Sequence, residues 1–398
     1  MEIRNDGFDE ARLERITAHL TRRYIEPGKV AGCQALVARH GNVAYFRSFG
    51  FADQERQEPV RDDTIWRIYS MTKPITSVAL MTLYEQGHFH LTDPVHRFIP
   101  EWRDLKVCEG ERMVDADRPP SVRDVLTHTA GLGYGLDVDH PVDSLYAGAG
   151  LRDPDVDLEE LAKRLGALPL KFQPGTRWHY SFATDVCSRL VEVISGRRFG
   201  EYLREEIFEP LGMVDTGFVV PEPDRGRFAA NYMRQEDGTL GVFDDPASSP
   251  YLEPRAMESG GGGLVSTTAD YLRFLEMLRR GGELDGRRIL ARNTVRYMTR
   301  NHLPGGGTLQ SMALPGSFGE VGFGGVGFGL GFAVALDSTQ TQVVGSPGEF
   351  SWGGAASTTF WVDPVEDMEV IFMVQFMPSG TFNFRGQLQQ LVHQAIVD

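Results

Sequence analysis

The stretch Ile68-Tyr69-Ser70-Met71-Thr72-Lys73-Pro74 lies where an apolar segment gives way to a helical pattern. Apolar residues recur at three- and four-residue spacing up to Tyr84, and Gly87 supplies a stop signal, so the pattern predicts an amphipathic helix. Ser70 is predicted at or near the N-cap, with Pro74 in the first turn. Ser70 and Lys73 then share one face, which places a hydroxyl nucleophile beside an amine base.

The four-letter pattern alone is weak, because a capping Ser followed by a solvent-exposed Lys looks the same. Its sequence context favours a catalytic role over a structural one. The chain has 40 basic residues, of which only five are Lys, and Lys73 is embedded in an apolar helix start. A surface cation in this chain is expected to be Arg. We therefore take Ser70 and Lys73 as candidate catalytic residues.

Composition limits the classes of protein. The 398 residues are 41% hydrophobic and 24% charged, which is typical of a globular chain long enough for two lobes. The net charge of −15 argues against nucleic acid or an anionic membrane as a partner. Three widely spaced cysteines, Cys33, Cys108 and Cys187, predict free thiols in a reducing compartment. With no secretory leader and no 18-residue apolar run, the sequence predicts a cytoplasmic protein without a membrane partner.

Strand signals lie at the two ends of the chain. A hairpin is predicted from residues 31–38 and 43–49, after a helix over 8–23. Further strands are predicted at 329–336, 357–362 and 368–376, before a last helix over 387–397. The segments between have helical spacing at 121–128, 158–165, 182–194, 202–211 and 270–279.

This order predicts an α+β fold with an antiparallel sheet flanked by terminal helices and an inserted, mainly helical lobe. The sheet domain is assigned to residues 1–66 and 326–398, and the helical domain with long loops to 67–325. Residues 101–120 are predicted as a polar connector, 221–254 as surface loops, and 304–332 as a segment without helix. A site between the two lobes is expected.

Two further motifs follow the first in order. They are Trp178-His179-Tyr180-Ser181-Phe182 and Phe350-Ser351-Trp352-Gly353-Gly354-Ala355. Together with Ser70-Met71-Thr72-Lys73 they resemble the motifs S-x-x-K, Y-x-N and K-T-G of class C β-lactamases and penicillin-binding proteins. The chain more closely resembles the family VIII carboxylesterases of that superfamily, whose second motif begins Tyr-Ser and whose third reads Trp-Gly-Gly. The resemblance extends from about Leu13 to the C-terminal helix.

The resemblance implies a β-lactamase/transpeptidase-like fold and a role for each matching residue. Ser70 is the implied nucleophile, Lys73 its partner, and Tyr180 the base, either as phenolate or through Lys73. The backbone N–H groups of Ser70 and Ala355 form the implied oxyanion hole. An ammonium beside a phenol favours phenolate, whereas desolvation favours a neutral amine, so the sequence leaves open which group holds the proton.

Departures from the β-lactamase pattern concern the substrate. Trp352 replaces the cation of the third motif and Phe182 replaces the Asn of the second. Trp352, Gly353, Gly354, Phe182 and Ser181 are the predicted substrate-binding residues. A site without groups that pair a carboxylate suits a neutral acyl ester better than an anion. The expectation is a serine carboxylesterase for short-chain, uncharged esters, acting on a small molecule without a cofactor.

Other interpretations remain. The same site fits a β-lactamase, a D-aminopeptidase or an acyltransferase, and a catalytically silent binding homologue is a further alternative, although Ser70, Lys73 and Tyr180 are all present. His128 is predicted to be structural, near a helix C-terminus where a cation or an N–H donor is favoured, and His179 to have no catalytic role. No metal-ligand pattern or phosphate-binding loop is found, and no Gly-x-Ser-x-Gly nucleophile elbow. The sequence does not specify the oligomeric state.

Overall fold

The computed structural model describes residues 2–110, 112–137, 140–315 and 317–398. Met1 of the predicted sheet domain, Glu111 of the predicted connector and Gly316 of the segment predicted to lack helix lie outside these ranges. The strands, in chain order, are β1 (Gly32–Arg39), β2 (Asn42–Asp53), β3 (Glu58–Pro59), β4 (Trp66–Arg67), β5 (Lys106–Glu109), β6 (Arg112–Asp115), β7 (Asn231–Arg234), β8 (Leu240–Asp244), β9 (Val265–Ser266), β10 (Glu283–Leu284), β11 (Arg287–Arg288), β12 (Val326–Phe328), β13 (Ala333–Ala335), β14 (Phe350–Gly353), β15 (Thr359–Asp363), β16 (Met368–Val374) and β17 (Phe376–Met377).

The α-helices, in chain order, are α1 (Glu10–Leu20), α2 (Thr72–Glu85), α3 (Val122–Leu126), α4 (Pro141–Gly148), α5 (Leu158–Gly166), α6 (Ala183–Ser195), α7 (Phe199–Leu203), α8 (Glu209–Leu211), α9 (Thr268–Arg279), α10 (Arg292–Met298), α11 (Leu309–Met312), α12 (Ser338–Thr341) and α13 (Phe384–His393). Short 3₁₀ turns occur at Tyr69–Met71, Val95–Arg97, Pro100–Trp102, Glu222–Arg227, Pro250–Leu252 and Pro304–Gly306, and π-helical turns at Thr21–Ile25 and Arg204–Phe208.

The main sheet joins both ends of the chain. Its eight strands run in the order β12-β13-β14-β15-β16-β1-β2-β3, and every neighbouring pair is antiparallel. Successive β1 side chains point to opposite faces, so Ala35 and Val37 pack beneath α1 and α13, while Leu36 and Ala38 join the core on the side of α2. The α+β class and the antiparallel sheet flanked by terminal helices are confirmed. The domain boundaries stay a prediction.

The predicted N-terminal hairpin is present. His40 and Gly41 join β1 to β2 with φ values of 50° and 81°, the left-handed conformation that a tight hairpin turn requires. The terminal helices differ from prediction by a few residues only. Helix α1 continues into a π-helical turn at Thr21–Ile25, and α13 begins three residues earlier than expected.

Helix α2 departs from the predicted amphipathic pattern. All of its residues from Thr72 to Leu83 are buried, including Lys73. One side packs on the sheet and another on α6, and the inserted region closes over the remainder. A helix buried on every side does not need a polar face. Lys73 is therefore an interior amine rather than a surface charge.

Two predicted loop regions contain hairpins. Within 101–120, β5 pairs with β6, and the Cys108 N–H donates to the Leu170 carbonyl. Within 221–254, β7 pairs with β8 and also lies parallel to β17 from the C-terminal region. Strand β5 therefore has a further partner at Leu170, and β7 has one in β17. Local composition does not encode such contacts between distant parts of the chain. Likewise, the segment 304–332 holds the short helix α11, and Thr308 caps its N-terminus.

The three cysteines are buried, and none forms a disulfide. Burial raises the pKa of the Cys33 and Cys187 thiols. These thiols therefore stay protonated and pack as small apolar groups. Among the helices of the described ranges, none has both the length and the apolar character needed to cross a bilayer.

Candidate active site

Ser70 lies in a 3₁₀ turn immediately before α2. Met71 occupies the N-cap position of α2, so Ser70 lies near the N-cap, one residue before it, and its side chain does not cap the helix. Tyr69 has a φ of 40°, an unfavourable conformation for a bulky residue, and its hydroxyl accepts a hydrogen bond from Asn231 at 2.9 Å. In this turn the Ser70 hydroxyl lies within hydrogen-bond distance of Lys73.

Lys73 is held against Ser70 inside the protein. Its Nζ donates to Ser70 Oγ at 3.2 Å and to the Gly261 carbonyl at 2.5 Å, and lies 4.5 Å from the centre of the Tyr180 ring. Burial lowers the pKa of Lys73 to about 8, although Asp185 and Glu320 act in the opposite direction. The amine is therefore substantially neutral in mildly alkaline solution, as a proton acceptor must be.

Tyr180 completes the cluster behind Ser70. It stacks on Trp178 with the ring planes 9° apart, and its hydroxyl accepts a hydrogen bond from Trp352 Nε1 at 3.2 Å. Burial raises the pKa of Tyr180 well above 10, and hydrogen bonds with Ser70 and Trp352 offset this only in part. Of the two arrangements that the sequence leaves open, this environment favours a phenol beside a neutral amine over a phenolate beside an ammonium.

The two predicted oxyanion donors face one cavity. Ser70 and Ala355 both line a cavity of about 390 Å³. In the hydrogen bonds among the described residues, neither amide N–H is already used. A Cβ on Gly354 would lie only 2.5 Å from the Ile68 carbonyl oxygen, so glycine lets the end of β14 approach the Ser70 turn. Both residues border the same cavity, so their N–H groups stay the candidates for an oxyanion hole.

The cavity wall is mainly apolar. Tyr134, Phe182, Val156, Phe218 and Met257 line it. Tyr134 and Phe182 pack edge to face with centroids 4.9 Å apart. At the mouth, the Arg152 guanidinium lies 4.8 Å from the centre of the Phe182 ring. The wall suits an aliphatic or aromatic group, and two exposed cations, Arg152 and Arg255, also line the cavity.

The sequence missed Asp185. Its carboxylate accepts hydrogen bonds from the Ser259 hydroxyl at 2.5 Å and the Gly261 N–H at 3.0 Å. The same Gly261 residue accepts from Lys73 through its carbonyl. Asp185 thus orients the glycine-rich turn that holds the amine in place. No local sequence pattern predicts this contact, because Asp185 and Gly261 lie far apart in the chain.

The remaining predicted substrate-binding residues occupy different places. Phe182 lines the cavity, whereas Trp352 and Ser181 are fully buried behind it. The Trp352 indole points to Tyr180 rather than to the cavity, and Ser181 Oγ lies 3.2 Å from His128 Nδ1. Gly354 borders a second cavity of about 720 Å³. Gly353 packs against Glu320, so a Cβ there would lie 3.1 Å from the Glu320 Cβ.

His128 and His179 lie on the interior side of Tyr180. Helix α3 ends at Leu126, and His128 is buried against the Tyr180 ring with centroids 5.0 Å apart. Burial holds the pKa of His128 well below 6.5, so of the cation and the N–H donor that this position favours, a neutral imidazole is the form present, and its packing agrees with a structural role. His179 bonds Ser317 at 2.7 Å and lies 3.3 Å from Lys171, which pairs with Asp143.

Comparisons with known proteins agree over nearly the whole chain. The family model described as Beta-lactamase matches residues 17–394. Esterase EstB of Burkholderia gladioli is 34% identical over 393 residues, covering 94% of this chain and 90% of EstB. Monacolin J acid methylbutanoyltransferase of Aspergillus terreus is 28% identical over 361 residues, covering 85% of this chain and 84% of that protein.

Among solved structures, EstCE1, described as a hydrolase with promiscuous acyltransferase activity, superposes with a TM-score of 0.81. The two sequences are 26% identical, and the superposition covers 98% of this chain and 99% of EstCE1. The simvastatin synthase LovD of Aspergillus terreus superposes with a TM-score of 0.77 at 24% identity, covering 96% of this chain and 97% of LovD. That likeness concerns the fold.

Proposed function

The chain belongs to the beta-lactamase family, and within it we propose that the protein is a serine carboxylesterase for short-chain, uncharged acyl esters. Its resemblance to the family VIII carboxylesterases agrees with its similarity to EstB and EstCE1. The observation that carries the proposal is the Lys73 amine 3.2 Å from Ser70 Oγ, beside a mainly apolar cavity. A hydroxyl with a desolvated amine is an activated nucleophile.

In the proposed acylation step, Ser70 Oγ–H gives its proton to neutral Lys73 as Oγ bonds to the ester carbonyl carbon. The carbonyl oxygen becomes an oxyanion that accepts hydrogen bonds from the Ser70 and Ala355 N–H groups. The carbon–alkoxide bond then breaks, and the alkoxide takes the proton from Lys73 with the Tyr180 hydroxyl as the bridging donor. The alcohol leaves and an acyl-enzyme remains.

Deacylation reverses the roles of the same groups. Water gives a proton to Lys73 as its oxygen attacks the acyl carbon, and the bond from that carbon to Ser70 Oγ breaks. Ser70 recovers the proton from Lys73, and the carboxylic acid departs. Each proton taken in a half-reaction is returned in it, so the cycle closes without a cofactor.

The neutral-substrate preference rests on Trp352. Where a β-lactamase has a cation in its third motif, this chain has an indole that is buried and hydrogen-bonded to Tyr180. An anionic substrate group placed there would lose its hydration without gaining a partner. The apolar wall formed by Phe182 and its neighbours instead contributes the binding free energy of an acyl chain.

A series of p-nitrophenyl esters of increasing acyl length, measured beside a chromogenic cephalosporin, tests the proposal. We expect kcat/KM to be highest for short acyl chains and at least about 100-fold lower for the cephalosporin, since the carboxylate of a β-lactam lacks its partner. Cephalosporin turnover comparable with that of the esters would contradict the argument from Trp352. Absence of turnover for every ester would contradict the esterase.

Acyl transfer is the second candidate, because the structure has a second cavity beside the first. This cavity of about 720 Å³ borders Gly354 and is lined by Phe318, Phe323 and Phe382, among others. An alcohol bound in such an apolar space can compete with water for the acyl-enzyme. Transfer also agrees with the described side activity of EstCE1, which is a property of that protein.

Added alcohol is expected to divert the acyl group. With a p-nitrophenyl ester and increasing benzyl alcohol, benzyl ester should form at the expense of free acid, whereas nitrophenol release stays constant or rises. Widening or filling the second cavity should alter this partition. The matched comparison is Phe323→Ala against Phe243→Ala, an exposed phenylalanine elsewhere on the surface. A ratio of ester to acid that follows only the alcohol concentration, unchanged in Phe323→Ala, would contradict a bound acceptor.

A further inference from the structure

A second cluster of ionisable side chains lies away from Ser70, at the opposite end of β14. Glu349 immediately precedes β14, Asp363 ends β15, and His393 ends α13. Since Phe350 pairs with Val362, the next position along places Glu349 opposite Asp363. One ligand atom from each of the three side chains lies within 4.8 Å of the others. The cluster therefore joins two adjacent strands to the C-terminal helix.

Both carboxylates use one oxygen and leave the other without a partner. Glu349 Oε1 accepts from Gln389 at 2.8 Å, and Asp363 Oδ1 accepts from the N–H groups of Val365 and Glu366 at 2.9 and 3.2 Å. Their second oxygens, and Nε2 of His393, are buried and have no hydrogen-bond partner within the described part of the chain. Glu349 is 4% exposed and Asp363 0%. Buried polar atoms are normally satisfied, so three orphans together indicate a ligand.

Neighbouring cations do not neutralise the cluster. The ion pairs formed among the described residues include neither Glu349 nor Asp363. The charge of Arg385 acts on Glu349 without a direct bond, and its guanidinium instead donates to the Thr359 hydroxyl and to the carbonyls of Trp352 and Phe360. Two buried carboxylates without a directly bonded cation are unfavourable, because desolvation of a charge is costly unless the charge is paired. A dication between them would supply the missing charge.

We propose that Glu349, Asp363 and His393 form a binding site for one divalent transition-metal ion, with Zn²⁺ the best fit. An imidazole with two carboxylates and no thiolate suits Zn²⁺, whereas Mg²⁺ and Ca²⁺ prefer oxygen ligands alone. Gln389 orients the Glu349 carboxylate from outside the ligand set.

The structure also offers a route for the ion and a fourth ligand. Glu349 and Gln389 line a cavity of about 240 Å³, through which an ion with its water can enter. A bound ion would draw the three ligand atoms closer together and tie β14 and β15 to α13. The ligands are 14 and 30 residues apart in the sequence, so they form no compact motif. The site is structural, since Ser70 chemistry uses none of its residues.

The test is zinc binding by the full chain after treatment with a chelator. Wild-type protein should take up one Zn²⁺ per chain, measured by elemental analysis after gel filtration, with a rise in melting temperature. In Glu349→Gln and in His393→Gln the affinity should fall at least about 100-fold, because one of three ligands is lost. His88→Gln, which removes an exposed imidazole elsewhere, is the matched control and should bind as the wild type does.

Melting in excess chelator shows whether each variant folds, so loss of binding is separable from loss of structure. If one variant does not fold, the other still decides the question. Zinc uptake that is unchanged in Glu349→Gln and His393→Gln would overturn the site in favour of surface histidines. Absence of stoichiometric uptake by the wild type would also overturn it, and would mean that water or a shared proton satisfies the orphaned atoms.

Discussion

Replacement of Ser70 by alanine is expected to lower kcat for a p-nitrophenyl ester by about 10⁴- to 10⁶-fold, the loss typical of removing a nucleophile that acts with its base as a unit. The Ser70 hydroxyl is bonded to Lys73, and Ser70 borders the cavity together with Ala355, the other proposed oxyanion donor. An alanine at this position leaves the cavity and the oxyanion donors intact, so substrate binding should persist. The residual rate reports the contribution of those donors alone.

The measurement pairs steady-state rates with mass spectrometry of the protein mixed rapidly with ester. Wild type should gain one acyl mass on the peptide that contains Ser70, and Ser70→Ala should gain none. Ser188→Ala is the matched control, since Ser188 is also a buried helical serine, and its hydroxyl donates only to the Thr184 carbonyl of its own helix. Ser70→Ala protein that keeps a tenth of the wild-type rate would overturn the acyl-enzyme mechanism.

Local sequence periodicity predicted the parts of the site that lie on one element. Ser70 and Lys73 are one turn apart, and the start of a helix sets that spacing without help from the rest of the fold. Tyr180 and Ala355 came from the resemblance of ordered motifs, which carries positional information that composition lacks. The N-terminal hairpin could also be predicted from local sequence, since a tight turn with Gly41 joins strands adjacent in the chain.

Contacts between distant segments were not predictable in this way. The Gly261 carbonyl that receives Lys73, and the Asp185 carboxylate that orients it, meet only when the inserted region closes over α2. The direction of the Trp352 side chain depends on the sheet position of β14, so the sequence assigned it to substrate while the structure turns it to Tyr180. Strand β7 pairs with β8 nearby in the chain, but its other edge pairs with β17 across more than 130 residues.

The proton positions also depend on burial, which a sequence gives only indirectly. A solvent-exposed Lys beside a Tyr favours ammonium and phenolate, because opposite charges attract. In the folded protein both groups are withdrawn from water, and desolvation disfavours both charged forms. The direction of each pKa shift then follows burial rather than pairing, toward an amine that accepts a proton and a phenol that keeps one.

Replacement of Lys73 by methionine should accordingly lower kcat by about 10³- to 10⁴-fold, near the upper limit for loss of a general base. Methionine is unbranched and apolar, so it fits the buried position beside Tyr180, and the one hydrogen bond lost besides that to Ser70 is the donation to the Gly261 carbonyl. Wild-type kcat/KM should rise with pH through a value near 8. Below that pH Lys73 carries a proton and cannot accept one from Ser70, and above it the amine is neutral.

The pH profile distinguishes the two candidate bases. Tyr180→Phe should be slower by about 100-fold through loss of the bridging hydroxyl, yet keep the rise near pH 8, because Lys73 remains. Lys73→Met should lose the rise and give a flat profile over the same range. The opposite pattern, a rise that survives in Lys73→Met and disappears in Tyr180→Phe, would identify a Tyr180 phenolate as the base. The melting temperature of each variant shows whether it is folded. In folded variants, differences between the pH profiles report proton transfer rather than stability.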